Sequence, residues 1–418
     1  MRRESSVVLL AVAASLWSAT GLCRAEARKD AGVPIEQRVQ NIIRSLADFP
    51  PVSASADTQA ARKATLSERM AALKVPGVSI AVIHDGRIEW ARGYGVIRAG
   101  SPDPVTPGTM FEAASTTKLV TAAIALRLVE QRKLALDEDI SDRLKSWKIP
   151  PSDLTRTQKI TLRRLLTHQA GLSRPAGGFK VAPGGEPTLL EMLEGKAPAL
   201  NQPAIVEFEP GSKWSYSNFG FIVIQLLIED ALGKPFPQVA REMVFEPLGM
   251  TSSTFVHPVA PALAARTIVP HDEEGIAHDR LLHPRALGHA GLLTTPSDLA
   301  RFVMELMRAS EGRSSRMLSQ QTVRSMLKQE VALDPAQFGG LISGQGLGVM
   351  LLGSGRNLAF LFAGANAPGA TSLLVGCPAT GQGAVIMTNA ANGELVMIQL
   401  MLTIQKEYGW PLEIVRGH

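Results

Sequence analysis

The chain has 418 residues, of which 45% are hydrophobic and 19% charged, enough apolar material for one large or two closely packed domains. A formal charge of +5 is small for this length, and the lysines and arginines are scattered rather than clustered, so a nucleic-acid partner is not expected. The only cysteines are Cys23 and Cys377, which excludes a fold stapled by several disulfides.

Arg2 and Arg3 precede an apolar run over 7–17, followed by Ser18, Ala19, Thr20 and Gly21. The run is too short for a permanent membrane helix and fits a secretory signal, with cleavage after Ala25 or Ala27. Residues 1–25 are therefore expected to be removed, leaving a secreted or periplasmic protein. Leu22 occupies the place before Cys23 where a lipid anchor needs a small residue, so a lipoprotein is the poorer reading. Cys377 is then alone, cannot form an internal bridge, and reads as a buried structural thiol.

Residues 26–58 read as an N-terminal helix and linker that includes Phe49-Pro50-Pro51. Two strand-like runs, 78–83 and 87–91, flank His84-Asp85-Gly86, where the Asp-Gly pair signals a hairpin. Ser115-Thr116-Thr117-Lys118 opens the run Leu119-Val120-Thr121-Ala122-Ala123-Ile124-Ala125-Leu126, apolar on nearly every side, as in a buried helix. Residues three apart on a helix share a face, which brings the Lys118 amine within reach of the Ser115 hydroxyl. A serine is a poor nucleophile without a base. Here that base is either Lys118, neutralised by burial, or Tyr216 of Tyr216-Ser217-Asn218, ionised beside a cation.

Residues 137–287 are helical and loop-rich, with turn clusters at Pro175-Ala176-Gly177-Gly178 and Pro183-Gly184-Gly185. Asn218 is expected to cap a helix over 219–232 that ends at Gly233. His271, His278, His283 and His289, with Asp272, Glu273, Glu274 and Asp279, match no metal-binding spacing and read as a polar surface loop. Ser325-Met326-Leu327-Lys328 repeats the serine–lysine tetrad, but after the polar stretch 319–324, as on a solvated helix face. A second hairpin is expected around Thr380-Gly381-Gln382-Gly383, followed by a final helix over 393–405. The predicted fold is α/β (α+β): an antiparallel sheet flanked by helices, from 59–136 and 288–418, interrupted by an all-helical domain over 137–287.

Three phrases in fixed order carry a family resemblance: Phe111-Glu112-Ala113-Ala114-Ser115-Thr116-Thr117-Lys118, Leu165-Leu166-Thr167-His168-Gln169-Ala170-Gly171-Leu172 and Pro210-Gly211-Ser212-Lys213-Trp214-Ser215-Tyr216-Ser217-Asn218-Phe219-Gly220. Glu246-Pro247-Leu248-Gly249-Met250, the stretch 291–299 and Met387-Thr388-Asn389 extend it from about residue 75 to the C-terminus. The chain resembles the serine β-lactamase and penicillin-binding-protein superfamily, in its class C-like branch of β-lactamases, DD-peptidases, D-aminopeptidases and carboxylesterases. The resemblance implies a β-lactamase/transpeptidase-like fold with its active site where the two domains meet. Ser115 is implied as nucleophile, Lys118 and Tyr216 as the proton carriers, and Asn218 as a ligand of Lys118 or of a substrate amide. His168 is implied to be structural.

The third family motif is altered. A cation, a small residue and glycine are implied before Pro368-Gly369, where this chain has Phe362-Ala363-Gly364. The small residues retain the backbone for an oxyanion donor, implied to be the N–H of Ala365, but the cation that would meet a substrate carboxylate is gone. The expected protein is an exported serine hydrolase that forms an acyl-enzyme on esters or amides, carboxylesterase-like because of Phe362. DD-peptidase or β-lactamase activity is the alternative, with peptidoglycan among its partners. A rival of another class is a non-catalytic penicillin-binding protein, for which the altered motif argues and the intact Ser115, Lys118, Tyr216 and Asn218 argue against. No cofactor and no metal are called for.

Overall fold

The hairpin signals set the middle of the molecule. In the computed structural model, which describes residues 32–49, 65–175, 179–183, 185–278, 287–334, 338 and 341–410, strands β1 (Gly77–His84) and β2 (Arg87–Gly95) turn at Asp85 and Gly86. These two residues have φ of 50° and 67°, the pair of left-handed conformations that lets a two-residue turn follow the twist of its strands. The predicted signal segment 1–25 with Cys23, residues 26–31 and 50–58 of the N-terminal segment, 176–178 and 184 of the two turn clusters, and Asp279 and His283 lie outside the described residues.

Strands β3 (Phe111–Glu112) and β4 (Leu293–Thr294) form a separate short pair. Strands β5 (Val331–Ala332), β6 (Gly344–Gln345), β7 (Met350–Leu352), β8 (Ala359–Asn366), β9 (Ala370–Cys377) and β10 (Gln382–Thr388) join β1 and β2 in one eight-stranded sheet, ordered β2-β1-β10-β9-β8-β7-β6-β5. Every neighbouring pair is antiparallel. The second predicted hairpin is β9–β10, with Cys377 opposite Gln382. Cys377 is buried at the end of β9, and burial pushes its thiol up to about 12.

Both strands of that hairpin are buried along their whole length, so the sheet must be covered on both faces. Around it stand helices α1 (Ile35–Ser45), α2 (Thr117–Glu130), α3 (Leu162–Leu166), α4 (Asn218–Leu232), α5 (Pro296–Ser310), α6 (Gln320–Met326) and α7 (Gly393–Tyr408), of which α5 and α7 pack directly on the strands. Strand alternation divides the core: Val78, Ile80 and Val82 pack with α1 and α7, whereas Ala81 and Ile83 belong to the cluster that holds α2, α4 and α5. Helix α7 runs three residues further than its expected end at 405, to Tyr408, because Tyr408 is itself buried and extends the apolar face to Gly409.

Helix α2 packs against α4, and both are apolar around most of their circumference because each is enclosed by protein on more than one side. Phe219 and Phe221 of α4 are fully buried, each contributing on the order of 2 kcal/mol. Among the described residues all strands fall before 137 or after 287, and the stretch between supplies helices and loops. No described helix is long and apolar enough to cross a membrane.

Candidate active site

Packing α2 against α4 brings the N-terminal ends of both helices together, and the motif residues stand there. Ser115 lies in a 3₁₀ turn, Ala114–Thr116, between β3 and α2. Ala114, immediately before it, has φ of 46°, a left-handed conformation that costs a non-glycine residue roughly 1–2 kcal/mol. The turn is held by Ala113, whose N–H donates to Leu292 O at 2.8 Å and whose carbonyl accepts from the Ser372 hydroxyl at 2.6 Å. Ser115 caps no helix; its hydroxyl faces two proton carriers.

Lys118 Nζ is 3.1 Å from Ser115 Oγ and donates to the His289 carbonyl at 2.8 Å. The side chain is completely buried, which holds its pKa well below the usual lysine range, and the Arg174 charge lowers it further. Loss of the proton is thereby eased, and an amine that spends one N–H on His289 can turn its lone pair toward Ser115.

The Tyr216 hydroxyl donates to Ser115 Oγ at 3.1 Å across 101 positions of sequence. Burial pushes its pKa up to about 12, partly offset by the Ser115 hydrogen bond and the Arg174 charge. His168 holds the tyrosine segment on both sides: its carbonyl accepts from Ser215 N at 2.8 Å and its Nδ1 from Ser217 N at 3.2 Å. Its ring lies 4.5 Å from that of Tyr216. Burial, with the charge of Arg174, pushes His168 down to about 3, so the ring is neutral and Nδ1 is free to accept.

The cap of α4 differs from expectation. Ser217, in extended conformation, is the N-cap and accepts from Gly220 N at 3.1 Å, while Asn218 is already helical; Gly233 ends the helix in the left-handed form as predicted. Asn218 Oδ1 is buried and accepts no hydrogen bond, and Lys118 Nζ is placed on Ser115 and His289 instead.

On β8, a Cβ at Gly364 would come within 2.3 Å of Ser115 N, so only glycine lets the strand lie this close to the turn. Phe362, two residues earlier on the same face, is 1% exposed and packs in the cluster containing Ala113 and Leu119. Strand β7 pairs with β8 only as far as Leu361, so the stretch from Phe362 through Ala365 has no β7 partner on that edge. Asn366 donates to Glu112 at 2.6 Å and to Ala290 O at 3.2 Å, tying β8 to β3.

The sequence reasoning missed this Glu112–Asn366 tie, the His289 carbonyl and Arg174. Glu112 was visible within its motif, but a backbone acceptor leaves no trace in residue identities. The surface-loop reading of the histidines is corrected for two of them. His271 is fully buried, with Nε2 accepting from Ala99 N at 3.0 Å and Nδ1 3.0 Å from Asn389 O, and His289 is buried beside Lys118. Both are drawn inward because their segments pack against β10 and α2. His278 pairs with Asp272 at 2.6 Å, and no three metal-ligating side chains gather among the described residues.

The family model for Beta-lactamase matches residues 62–401. An unguisins hydrolase of Aspergillus campestris is 33% identical over 189 residues, covering 43% of this chain and 33% of that protein. The D-alanyl-D-alanine-carboxypeptidase/endopeptidase AmpH of Escherichia coli is 27% identical over 237 residues, covering 55% of this chain and 57% of its own. The chain thus spans less than two thirds of the length of either relative. The solved structure of EstCE1, a hydrolase with promiscuous acyltransferase activity, has the same fold, with a TM-score of 0.66 at 23% identity over 82% of this chain and 97% of that one.

Proposed function

The chain belongs to the beta-lactamase family, and on that footing we propose that it is a serine hydrolase working through an acyl-enzyme on Ser115. The observation that carries this reading is the placement of Lys118 Nζ and Tyr216 OH each 3.1 Å from one buried serine oxygen. Buried, uncharged Lys118 takes the Ser115 proton as Oγ bonds to the substrate carbonyl carbon. Tyr216, which keeps its proton up to about 12, donates it to the leaving oxygen or nitrogen and regains one from Lys118. Water then repeats the steps in reverse order on the acyl-enzyme and releases the acid.

The N–H groups of Ser115 and Ala365 are assigned to the developing oxyanion, each such donor being worth about 3 kcal/mol. Asn218, with its unfilled Oδ1, is assigned to a substrate N–H. Phe362 leaves β8 without the family's cation, so on that side of the site nothing favours a substrate carboxylate and uncharged ester groups are the preferred class. An amide-cleaving peptidase is the second reading, supported by the carboxypeptidase/endopeptidase relative. Export after removal of residues 1–25 is part of the proposal and is tested by N-terminal sequencing of protein from the extracytoplasmic fraction.

The decisive experiment is steady-state kinetics of the purified chain on p-nitrophenyl acyl esters, a chromogenic cephalosporin and D-Ala-D-Ala peptides. The expected order places esters first. Phe362→His should raise the cephalosporin-to-ester ratio by roughly tenfold, the scale of one charge-assisted hydrogen bond. Turnover of peptides alone would replace the ester reading, and inertness toward all three would favour the non-catalytic binder.

A further inference from the structure

Arg174 lies at the edge of this site without a role in it. Its guanidinium carbon is 5.6 Å from the centroid of the Tyr216 ring, and the residue is half-buried. Among the described residues none accepts a hydrogen bond from that guanidinium or forms an ion pair with it. Other arginines of the chain are matched: Arg163 with Asp137 and Glu330, and Arg143 with Glu138.

The backbone that carries Arg174 is fixed on three sides. Ser173 N donates to Ile205 O at 2.9 Å, Ser173 Oγ accepts from Ile205 N at 3.1 Å, and the Ser173 carbonyl accepts from the Ser217 hydroxyl at 2.9 Å. Pro175 follows and restricts Arg174 to extended backbone. A five-donor planar cation thus stands over the ring of the reacting tyrosine with no acceptor among the described residues to satisfy it, while the position of the family's cation on β8 is taken by the buried, apolar Phe362. Its field already reaches the centre, lowering the pKa values of Lys118, His168 and Tyr216.

We propose that Arg174 reads substrate charge: it forms a two-pronged pair with a carboxylate on the substrate, entering from the helical side over Tyr216 rather than along β8. The inference rests on the reading of Ser115 as nucleophile and narrows its substrates to acyl compounds with a carboxylate a few bonds from the scissile carbonyl. The family cation missing from β8 is replaced by one on another element.

The test uses a matched pair, the p-nitrophenyl monoester of glutarate with its free carboxylate and the same compound as its methyl ester. Wild type should favour the carboxylate form, and Arg174→Gln should lower the ratio of kcat/KM between the two by about tenfold or more, chiefly through KM. Arg174→Lys, which keeps the charge but not the fork, should fall between them. An unchanged ratio in Arg174→Gln, with turnover still dependent on Ser115, overturns the inference alone. Turnover that survives Ser115→Ala overturns the nucleophile reading instead. Binding of glutarate monomethyl ester to Ser115→Ala and to the Ser115→Ala/Arg174→Gln double variant, by calorimetry, judges Arg174 without any turnover: a weaker Kd in the double variant supports it and equal Kd values overturn it.

Discussion

Ser-x-x-Lys occurs twice in this chain, at Ser115–Lys118 and at Ser325–Lys328, and the structure treats the two copies in opposite ways. The first opens α2, with Lys118 fully buried and Ser115 5% exposed. The second sits where α6 ends: Ser325 and Lys328 are both exposed, and Lys328 lies beyond the last helical residue, Met326. Spacing is identical, so spacing does not make the site. Burial does, because it removes water from the lysine and disfavours its charge, and because Tyr216 and the His289 carbonyl can then reach the same small volume.

The largest expected difference is in covalent reactivity. A fluorophosphonate should add its mass to wild type and to Ser325→Ala but not to Ser115→Ala, as read by intact-protein mass spectrometry and peptide mapping. An adduct mapped to Ser325 would reverse the comparison. Next in size, Lys118→Ala and Tyr216→Phe should each lower kcat by at least about a hundredfold, with the double variant little worse, because groups that share one proton path are not additive. Lys328→Ala should retain wild-type kcat. The pH profile sharpens the contrast: Lys118 must be uncharged to accept a proton, so kcat/KM should rise with pH through its depressed pKa and hold until Tyr216 titrates near 12.

A smaller effect concerns the support behind the first copy. His168 is neutral in the folded chain down to about 3 and takes its proton near 6.5 when unfolded. Its contribution to stability is therefore complete above 6.5 and is lost as pH falls toward 3, since the unfolded chain binds the extra proton. By about pH 5 the loss should be about 2 kcal/mol. Urea midpoints of wild type and His168→Asn at neutral pH and at about pH 5 test this, and equal acid losses in both proteins would remove the assignment.

Much of the buried copy was legible beforehand. The apolar run after Lys118 announced a buried helix, Asp85-Gly86 announced the β1–β2 turn, and the tyrosine motif announced the partner of Ser115. What could not be read depended on three-dimensional register. Ala114 carries no glycine to advertise its positive φ, and Ser217 took the cap from Asn218 because both are good capping residues and only backbone geometry separates them. His271 and His289 looked polar among acidic neighbours, yet the His271 ring found backbone partners on both nitrogens and the His289 ring packs edge-on against Phe179 at 5.0 Å. Phe362 was legible as a lost cation, but its burial among apolar side chains was not. Arg174 gave no signal, since a free cation and a paired one look alike in sequence.

The smallest expected effect falls on the exposed copy itself. Ser325 is in the last turn of α6, where its hydroxyl is not the helix cap; that role belongs to Ser319, which accepts from Thr322 N at 3.2 Å. Ser325→Ala removes a residue of middling helix propensity and installs the best one, and Lys328→Ala removes a solvated charge, so each should change stability by no more than about 0.5 kcal/mol. Ser319→Ala, by contrast, should cost about 1 kcal/mol through loss of the cap. Urea denaturation of the three variants measures all of these against one baseline. If Ser325→Ala costs as much as Ser319→Ala, the second tetrad holds a structural bond of its own, and burial is not what separates the two copies.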